Sequence, residues 1–153
     1  MRVVKNYELS VREVEVADMP DYYGTKLITA GDCGTLAKRL IGDKAQEHFV
    51  AFLMNLSQEV LGYQLVAMGR QDACPVDMRV LFRAAVSLGA SFIAISHNHP
   101  EGNPTPSNMD LRVTDMVSLA GEVLGIPLLD HVIVTPKGMV SMRQHGFMLP
   151  PRL

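Results

Sequence analysis

The sequence lacks the features that would assign it to a secreted, redox or membrane class. It contains only two cysteines, Cys33 and Cys74, without C-x-x-C spacing, so we expect reduced thiols rather than a disulfide framework. No stretch approaches the ~20 apolar residues that span a bilayer, and the first ten residues, MRVVKNYELS, contain no apolar core of a secretory signal. We therefore expect a cytoplasmic protein without membrane association.

An excess of one sign of charge is also missing. Lys and Arg total 14 and Asp and Glu total 16, which gives a formal charge of −2. Dedicated nucleic-acid binders usually carry a basic footprint, so any DNA association is expected to be local and weak. Arg70, Arg79 and Arg83 could form a local anion site, but a solvated helix face is the favoured interpretation. The sequence shows no internal repeat and no low-complexity tract.

The chain has the length and composition of one globular domain, with 153 residues of which 48% are hydrophobic. Residues 7–16 partly alternate apolar and polar side chains, which predicts an edge strand or hairpin. We therefore divide the chain into an N-terminal strand or hairpin extension at 1–28 and one domain at 29–153.

Helices and strands alternate along the predicted domain. Asp32 is predicted to cap the first helix, and nearly continuous apolar segments are typical of strands buried on both faces. The pattern predicts an α/β fold in which a mixed sheet lies between helices. The longest helix should bury Val113, Met116, Val117, Ala120 and Val123. The predicted elements are helix 33–41, strands 48–56 and 61–68, helix 75–88, strand 91–96, helix 108–124 and strands 128–135 and 139–142.

The segment most informative about chemistry is H-x-H-x7-S-x2-D, formed by His97, His99, Ser107 and Asp110. Two histidines at i and i+2 on leaving a strand can point to the same side, and imidazole nitrogens are good zinc ligands. Asp110, in the first turn of the next helix, can supply a third ligand and leave a fourth position for water. An open position is typical of a catalytic zinc site, which also needs a carboxylate to accept and deliver a proton.

With Glu47 upstream, the order E…H-x-H-x7-S-x2-D resembles the JAMM signature of JAB/MPN metalloproteases. The surrounding sequence resembles RadC-like proteins over most of residues 30–146, through QEHFVAFLMNL, VDMRVLFRAAVSLGASFIAISHNHPEGNPTPS and LGIPLLDHVIV. The resemblance implies the MPN fold, a mixed sheet sandwiched between helices, and hydrolysis of a peptide or isopeptide bond in a protein or peptide substrate. It implies one zinc ion per chain held by His97, His99 and Asp110, Glu47 as general acid/base, and Ser107 as a stabiliser of the oxyanion.

This chain departs from the family pattern at two places. RadC-like chains commonly contain H-N-H-P-S-G, whereas Glu101 follows Pro100 here and adds a negative charge beside the metal loop. Longer RadC proteins also carry a helical N-terminal region suggestive of DNA binding, and residues 1–28 are too short and strand-like to match it. The oligomeric state stays open, with a homodimer as one alternative.

Several residues have a structural interpretation beside the functional one. Ser107 can be a helix cap alone or can also stabilise an oxyanion, and the two roles can coexist. Glu101 is the serious competitor of Glu47 for the acid/base role. Asp130 and His131 are expected to be a core polar pair rather than a support for a zinc histidine. Cys74 is expected to be inert.

Three other functions are weighed against the hydrolase. A zinc nucleobase deaminase needs H-x-E with P-C-x-x-C, which this chain lacks. A nuclease or DNA-processing activity remains an alternative through the association of RadC proteins with DNA repair. A non-catalytic metal-binding interaction module is the third, although the complete signature argues against it.

Overall fold

The computed structural model describes Glu8, Ser10, Arg12 and residues 21–69 and 76–148. The predicted strand at 7–16 falls almost entirely outside these residues, and Arg70 and Cys74 lie outside them altogether. The elements are helices α1 (Ala30–Ile41), α2 (Met78–Ser87) and α3 (Asn108–Leu124), and strands β1 (His48–Met54), β2 (Val60–Met68), β3 (Phe92–Asn98), β4 (Leu128–Val134) and β5 (Met139–Ser141).

The five strands form one mixed sheet in the order β2-β1-β3-β4-β5. β3 and β4 are parallel, whereas the other neighbouring strands are antiparallel. Helix α1 packs on one face of the sheet, and α2 and α3 pack on the other. This arrangement confirms the predicted α/β fold with a mixed sheet between helices.

Strand β1 supplies core residues to both faces of the sheet. Its alternate side chains Phe49, Ala51 and Leu53 pack with α2 and α3, whereas the intervening side chains pack with α1. Because successive side chains of a strand point to opposite faces, a strand covered by helices on both sides has to be apolar at nearly every position. The continuous apolar run in the sequence is therefore explained by this central place in the sheet.

Helix α1 begins earlier than the sequence predicted. Thr29 is the N-cap, and its hydroxyl accepts a hydrogen bond from the backbone N–H of Asp32. The Asp32 carboxylate in turn accepts from the backbone N–H of Thr29, which completes a capping box. The prediction of Asp32 as the cap was wrong because threonine satisfies the first free N–H groups and aspartate takes the third helical position. The helix ends at Ile41, which is the predicted last residue, and Gly42 is its C-cap.

Helix α3 has the predicted bounds, with Ser107 as N-cap and Gly125 as C-cap. Gly125 adopts a φ of 71°, a left-handed conformation that glycine reaches without a steric cost. The predicted inner stripe was partly wrong, since Met116 is 53% exposed and Val123 is 79% exposed. The buried face instead includes polar side chains; its residues are Asp110, Val113, Thr114, Val117 and Gly121.

No helix within the described part of the chain is long and apolar enough to cross a membrane. Cys33 lies on the buried face of α1, and burial, followed by the negative charges of Asp130 and Asp32, raises the pKa of its thiol. Arg79 is exposed and forms an ion pair with Asp77, the N-cap of α2, at 2.9 Å. The prediction that Arg79 lies on a solvated helix face, rather than in an anion site, is therefore confirmed.

Candidate metal centre

Strand β3 brings the two histidines of the motif to one face of the sheet. His97 lies in the strand and His99 follows its last residue, while the backbone N–H of His99 donates to the carbonyl of Val134 at 2.9 Å and so prolongs the pairing with β4. His97 and His99 are both buried. Because the side chains alternate, Asn98 between them is directed to the opposite face.

The loop after β3 turns back at once. The N–H of Gly102 donates to the carbonyl of His99 at 3.0 Å, and Gly102 has a φ of 92°, which favours glycine. The loop ends at Ser107, whose hydroxyl accepts from the N–H of Asp110 at 3.1 Å, while Oδ2 of Asp110 accepts from the N–H of Ser107 at 2.8 Å. This capping box both starts α3 and orients the Asp110 carboxylate toward the histidines.

Donor atoms of three residues converge between β3 and α3. Nε2 of His97 lies 2.8 Å from Nε2 of His99 and 3.2 Å from Oδ1 of Asp110. Nε2 of His99 lies 3.4 Å from Oδ2 of Asp110. Tetrahedral zinc ligands about 2.0–2.1 Å from the ion lie about 3.3 Å from one another, so these spacings fit a small divalent cation. The buried group His97, His99 and Asp110 can therefore hold a metal ion.

The charges around the group favour an anionic carboxylate beside a positive charge. Burial would raise the pKa of Asp110, but hydrogen bonds that protonated His97 and His99 rings donate outweigh burial and hold this pKa well below its usual range. A metal ion bound between the three residues would take the place of those protons. Burial lowers the pKa of His99, but the hydrogen bond and charge of Asp110, with the carbonyl of Asn103, give a net increase. A carboxylate that stays ionised in a buried place needs a cation, and a divalent ion meets this need.

The outer nitrogen of His99 is held by the backbone of the same loop. Its Nδ1 lies 2.7 Å from the carbonyl oxygen of Asn103, which can only accept, so Nδ1 carries a proton and Nε2 is the nitrogen that can bind a metal. The Glu101 carboxylate lies 3.8 Å from this same Nδ1 and is 61% exposed. Glu101 therefore stands on the outer side of the His99 ring, away from the nitrogen that faces the other donors.

The outer nitrogen of His97 contacts a second buried histidine. Nδ1 of His97 lies 2.8 Å from Nε2 of His131, and Nδ1 of His131 lies 2.6 Å from the hydroxyl of Thr114. His131 is fully buried, and burial, followed by the charge of His97, lowers its pKa well below the usual value. The expected core pair of Asp130 and His131 was therefore wrong: His131 is buried, but its ring bonds to His97 and Thr114, which is the contact with a candidate ligand that the sequence analysis disfavoured.

Asp130 has different partners from its neighbour in sequence. Its carboxylate accepts from the hydroxyl of Ser141 at 2.6 Å and from the backbone N–H groups of His131 and Arg143 at 2.7 and 3.1 Å. Asp130 therefore joins β4 to β5 and the turn after it.

Sequence reasoning missed Thr114, although a polar residue one turn after Asp110 in an otherwise apolar face was an available signal.

Glu47 immediately precedes β1 and is half-buried. In the antiparallel pairing of β1 with β3, Phe49 lies opposite His97, and continuing this register by two residues places Glu47 opposite His99. Residues directly opposite each other in a sheet share a face, so the Glu47 backbone position is on the same face as the two histidines. The carbonyl of Glu47 accepts from the N–H of Gly69 at 2.8 Å, which continues the β1–β2 pairing.

Asn98 ties the segment that carries Glu47 to the metal loop. Its Oδ1 accepts from the N–H of His48 at 2.6 Å, and its Nδ2 donates to the carbonyls of Lys44 and Gln46 at 3.2 and 3.0 Å. The side chain between the two histidines thus holds the backbone on both sides of Glu47. Sequence reasoning missed this role, and an amide placed between two candidate ligands was the signal for it.

Comparison with known proteins gives the family. The profile of the RadC-like JAB domain matches residues 28–147. A UPF0758 protein of Carboxydothermus hydrogenoformans is 42% identical over 103 residues, which cover 67% of this chain and 46% of the relative. One from Methanospirillum hungatei is 40% identical over 108 residues, covering 71% and 48%.

A third relative, a UPF0758 protein of Geobacillus sp. (strain WCH70), is 36% identical over 129 residues, which cover 82% of this chain and 56% of the relative. The chain thus matches only about half the length of these relatives. The matched segment contains Glu47, Ser107 and the three donor residues. The protein with this metal-capable site therefore belongs to the family of RadC-like JAB domain proteins.

Proposed function

We propose that this chain is a zinc-dependent hydrolase that cleaves a peptide or isopeptide bond, with zinc held by His97, His99 and Asp110. The observation that carries the proposal is the convergence of three buried residues, each of which offers one ligand atom within 4.8 Å of the other two. Two imidazoles and one carboxylate form a donor set used by catalytic zinc sites, which keep a fourth position open. When bound, zinc would polarise the carbonyl of the substrate and lower the pKa of its bound water toward ~7.

The proton in this reaction is handled by Glu47. Its carboxylate accepts a proton from the attacking water and later delivers it to the nitrogen of the leaving amine. The β1–β3 register supports this role, because its continuation by two residues beyond Phe49 and His97 puts residue 47 on the face of the donor atoms. Glu101 is the weaker candidate because its carboxylate contacts the outer Nδ1 of His99.

Ser107 has a hydroxyl that can serve two purposes in the proposed site. Its oxygen accepts the hydrogen bond from the N–H of Asp110 that caps α3, and this contact leaves the hydroxyl hydrogen uncommitted. A donor beside the reacting carbonyl stabilises the negative charge that develops on its oxygen. We therefore assign capping and oxyanion stabilisation to the same side chain.

Replacing Asn98 by alanine is expected to lower hydrolysis about 10-fold or more without loss of zinc, because the backbone around Glu47 loses three hydrogen bonds and the carboxylate moves. The measurement is the rate at saturating zinc together with the zinc content. The matched control is Asn55→Ala at the other end of β1, where the amide also makes three hydrogen bonds, to Ser57 and Glu59. Equal rate losses in both variants would contradict the positioning role of Asn98.

The substrate class is tested with zinc-loaded protein offered three substrates: unstructured peptides, ubiquitin-like fusions joined by peptide or isopeptide bonds, and duplex DNA. We expect cleavage of a peptide or isopeptide bond that stops on chelation, resumes with zinc and is lost in Asp110→Asn. Asparagine keeps an oxygen for the capping bond to the Ser107 N–H but removes the negative charge that the metal needs.

The nuclease alternative is tested in the same experiment. A chain with a charge of −2 should bind duplex DNA weakly, with a steep loss of affinity as salt rises, by roughly 0.9 log units per log unit of salt for each phosphate contact. DNA cleavage that disappears in Asp110→Asn would overturn the peptidase proposal. Zinc binding with no cleavage of any of the three substrates would favour the non-catalytic interaction module.

A further inference from the structure

A chain of hydrogen bonds leads from His97 through β4 to α3 and returns to Asp110. Nδ1 of His97 lies 2.8 Å from Nε2 of His131, whose Nδ1 lies 2.6 Å from Oγ1 of Thr114. Oγ1 of Thr114 lies 2.6 Å from the carbonyl oxygen of Asp110. The chain thus begins at one proposed zinc ligand and ends on the backbone of another.

The carbonyl at the end of this chain sets the direction of every hydrogen bond in it. A carbonyl oxygen can only accept, so the single hydrogen of the Thr114 hydroxyl is directed to Asp110. The lone pairs of Oγ1 then face Nδ1 of His131, which must donate. A neutral imidazole with its proton on Nδ1 has a bare Nε2, and this nitrogen accepts from Nδ1–H of His97.

The consequence for His97 is that its other nitrogen, Nε2, carries no proton. This nitrogen is the one directed to His99 and Asp110, and a metal ion binds only an unprotonated imidazole nitrogen. If Thr114 donated to Nδ1 of His131 instead, Nε2 of His131 would carry the proton and would donate to Nδ1 of His97. The proton of His97 would then be on Nε2. The contact with the Asp110 carbonyl therefore selects the ligand form of His97.

The surroundings keep this chain of hydrogen bonds in place. The other acceptor near Oγ1 of Thr114 is Sδ of Met142 at 3.4 Å, and a thioether sulfur accepts more weakly than the Asp110 carbonyl at 2.6 Å. His131 and Thr114 are fully or almost fully buried, so water has little access to either. The ring of Phe49 stacks on His97 at 5.8 Å between centroids and meets the ring of His131 edge-on at 5.5 Å. Rotation of either imidazole would break both the aromatic packing and the hydrogen bonds.

We propose that His131 and Thr114 are positioning residues that hold the proton of His97 on Nδ1 and leave its Nε2 bare for the metal. The inference rests on the zinc site of the proposed function. Metal-bound histidines usually donate their outer N–H to a carboxylate, carbonyl or water, and loss of such a partner costs about 10–100-fold in metal affinity or activity. Here a second imidazole is the acceptor, and Thr114 fixes which of its nitrogens accepts.

The first test measures proton positions in the folded, zinc-loaded wild-type chain. The sequence contains only five histidines, so ¹⁵N-labelled imidazoles give few signals, and long-range ¹⁵N–¹H correlations separate protonated from bare ring nitrogens. We expect the proton on Nδ1 in both His97 and His131, with a bare Nε2 on His131. A proton on Nε2 of His131 would overturn the inference without affecting the proposed zinc site.

The second test compares zinc affinity in paired variants by competition with a chelator. Thr114→Val keeps the shape but removes the hydroxyl, and His131→Leu removes the acceptor, so both should bind zinc about 10–100-fold more weakly. Thr114→Ser keeps the hydroxyl and should bind like the wild type, and His131→Gln, which offers an amide oxygen, should recover part of the loss. Wild-type affinity in Thr114→Val and His131→Leu, with only lower melting temperatures, would reduce both residues to core packing. Failure of the wild type itself to bind zinc would refute the proposed function, and this inference with it.

Discussion

Replacing His97 by alanine is expected to reduce bound zinc from about one ion per chain to a level below detection after dialysis. The side chain supplies one of three protein donors in an open site, and the two that remain cannot hold the ion against water. His99→Ala should have the same effect, because its Nε2 lies 2.8 Å from that of His97. The measurement is elemental analysis of the dialysed protein, together with chelator competition for the affinity.

Two further variants separate ligand loss from structural damage. Asp110→Asn should also lose zinc while α3 keeps its capping bond to the Ser107 N–H. His145→Ala removes an exposed histidine whose ring contacts the Ser141 carbonyl at 2.9 Å. His145→Ala should retain zinc. Undiminished zinc in both His97→Ala and His99→Ala would refute the proposed site.

The fold should survive loss of the metal. The two core clusters on the faces of the sheet are built from apolar residues of β1, β3, β4 and all three helices, and they do not need an ion to pack. Chelation should therefore leave the far-ultraviolet circular dichroism spectrum unchanged, with at most the loss of the stabilisation that any bound ligand provides. Global unfolding on chelation would identify the zinc as structural rather than catalytic.

The parts of the fold that could be predicted are those governed by local pattern. The bounds of α3 followed from a serine cap and the helical spacing of apolar residues after it, and the buried strands followed from continuous apolar segments. The spacing of His97, His99 and Asp110 predicted their convergence because a strand, a short loop and a helix cap leave little freedom. These features depend on residues close to one another in sequence.

The parts that could not be predicted depend on contacts across the fold. Asn98 bonds to the backbone of Lys44 and His48, which are 54 and 50 residues away in sequence. The ring of His131 in β4 bonds to the Thr114 hydroxyl in α3, 17 residues earlier. The inward turn of Thr114 and Asp110 also explains why the apolar pattern of α3 misled the prediction for Met116 and Val123. A hydrophobic pattern locates a buried face only where the burial is hydrophobic.

Replacing Glu47 by glutamine is expected to lower hydrolysis by about 10²-fold or more while zinc stays bound. Glutamine has nearly the same shape, so the backbone contact of residue 47 with Gly69 and the clamp by Asn98 should persist. What disappears is the carboxylate that accepts the proton of the water and returns it to the leaving nitrogen. The rate at saturating substrate and the zinc content are measured on the same preparation.

Glu101→Gln is the matched comparison because it removes a carboxylate from the metal loop itself. Its side chain contacts Nδ1 of His99 at 3.8 Å from the outer side and is largely exposed, so neutralising it should change the rate by only a few-fold. If activity persisted in Glu47→Gln and vanished in Glu101→Gln with zinc still bound, the acid/base role would belong to Glu101. We expect the loss in Glu47→Gln instead, because the β1–β3 register, continued by two residues beyond Phe49 and His97, puts residue 47 on the face of the donor atoms, where a group that moves protons has to lie.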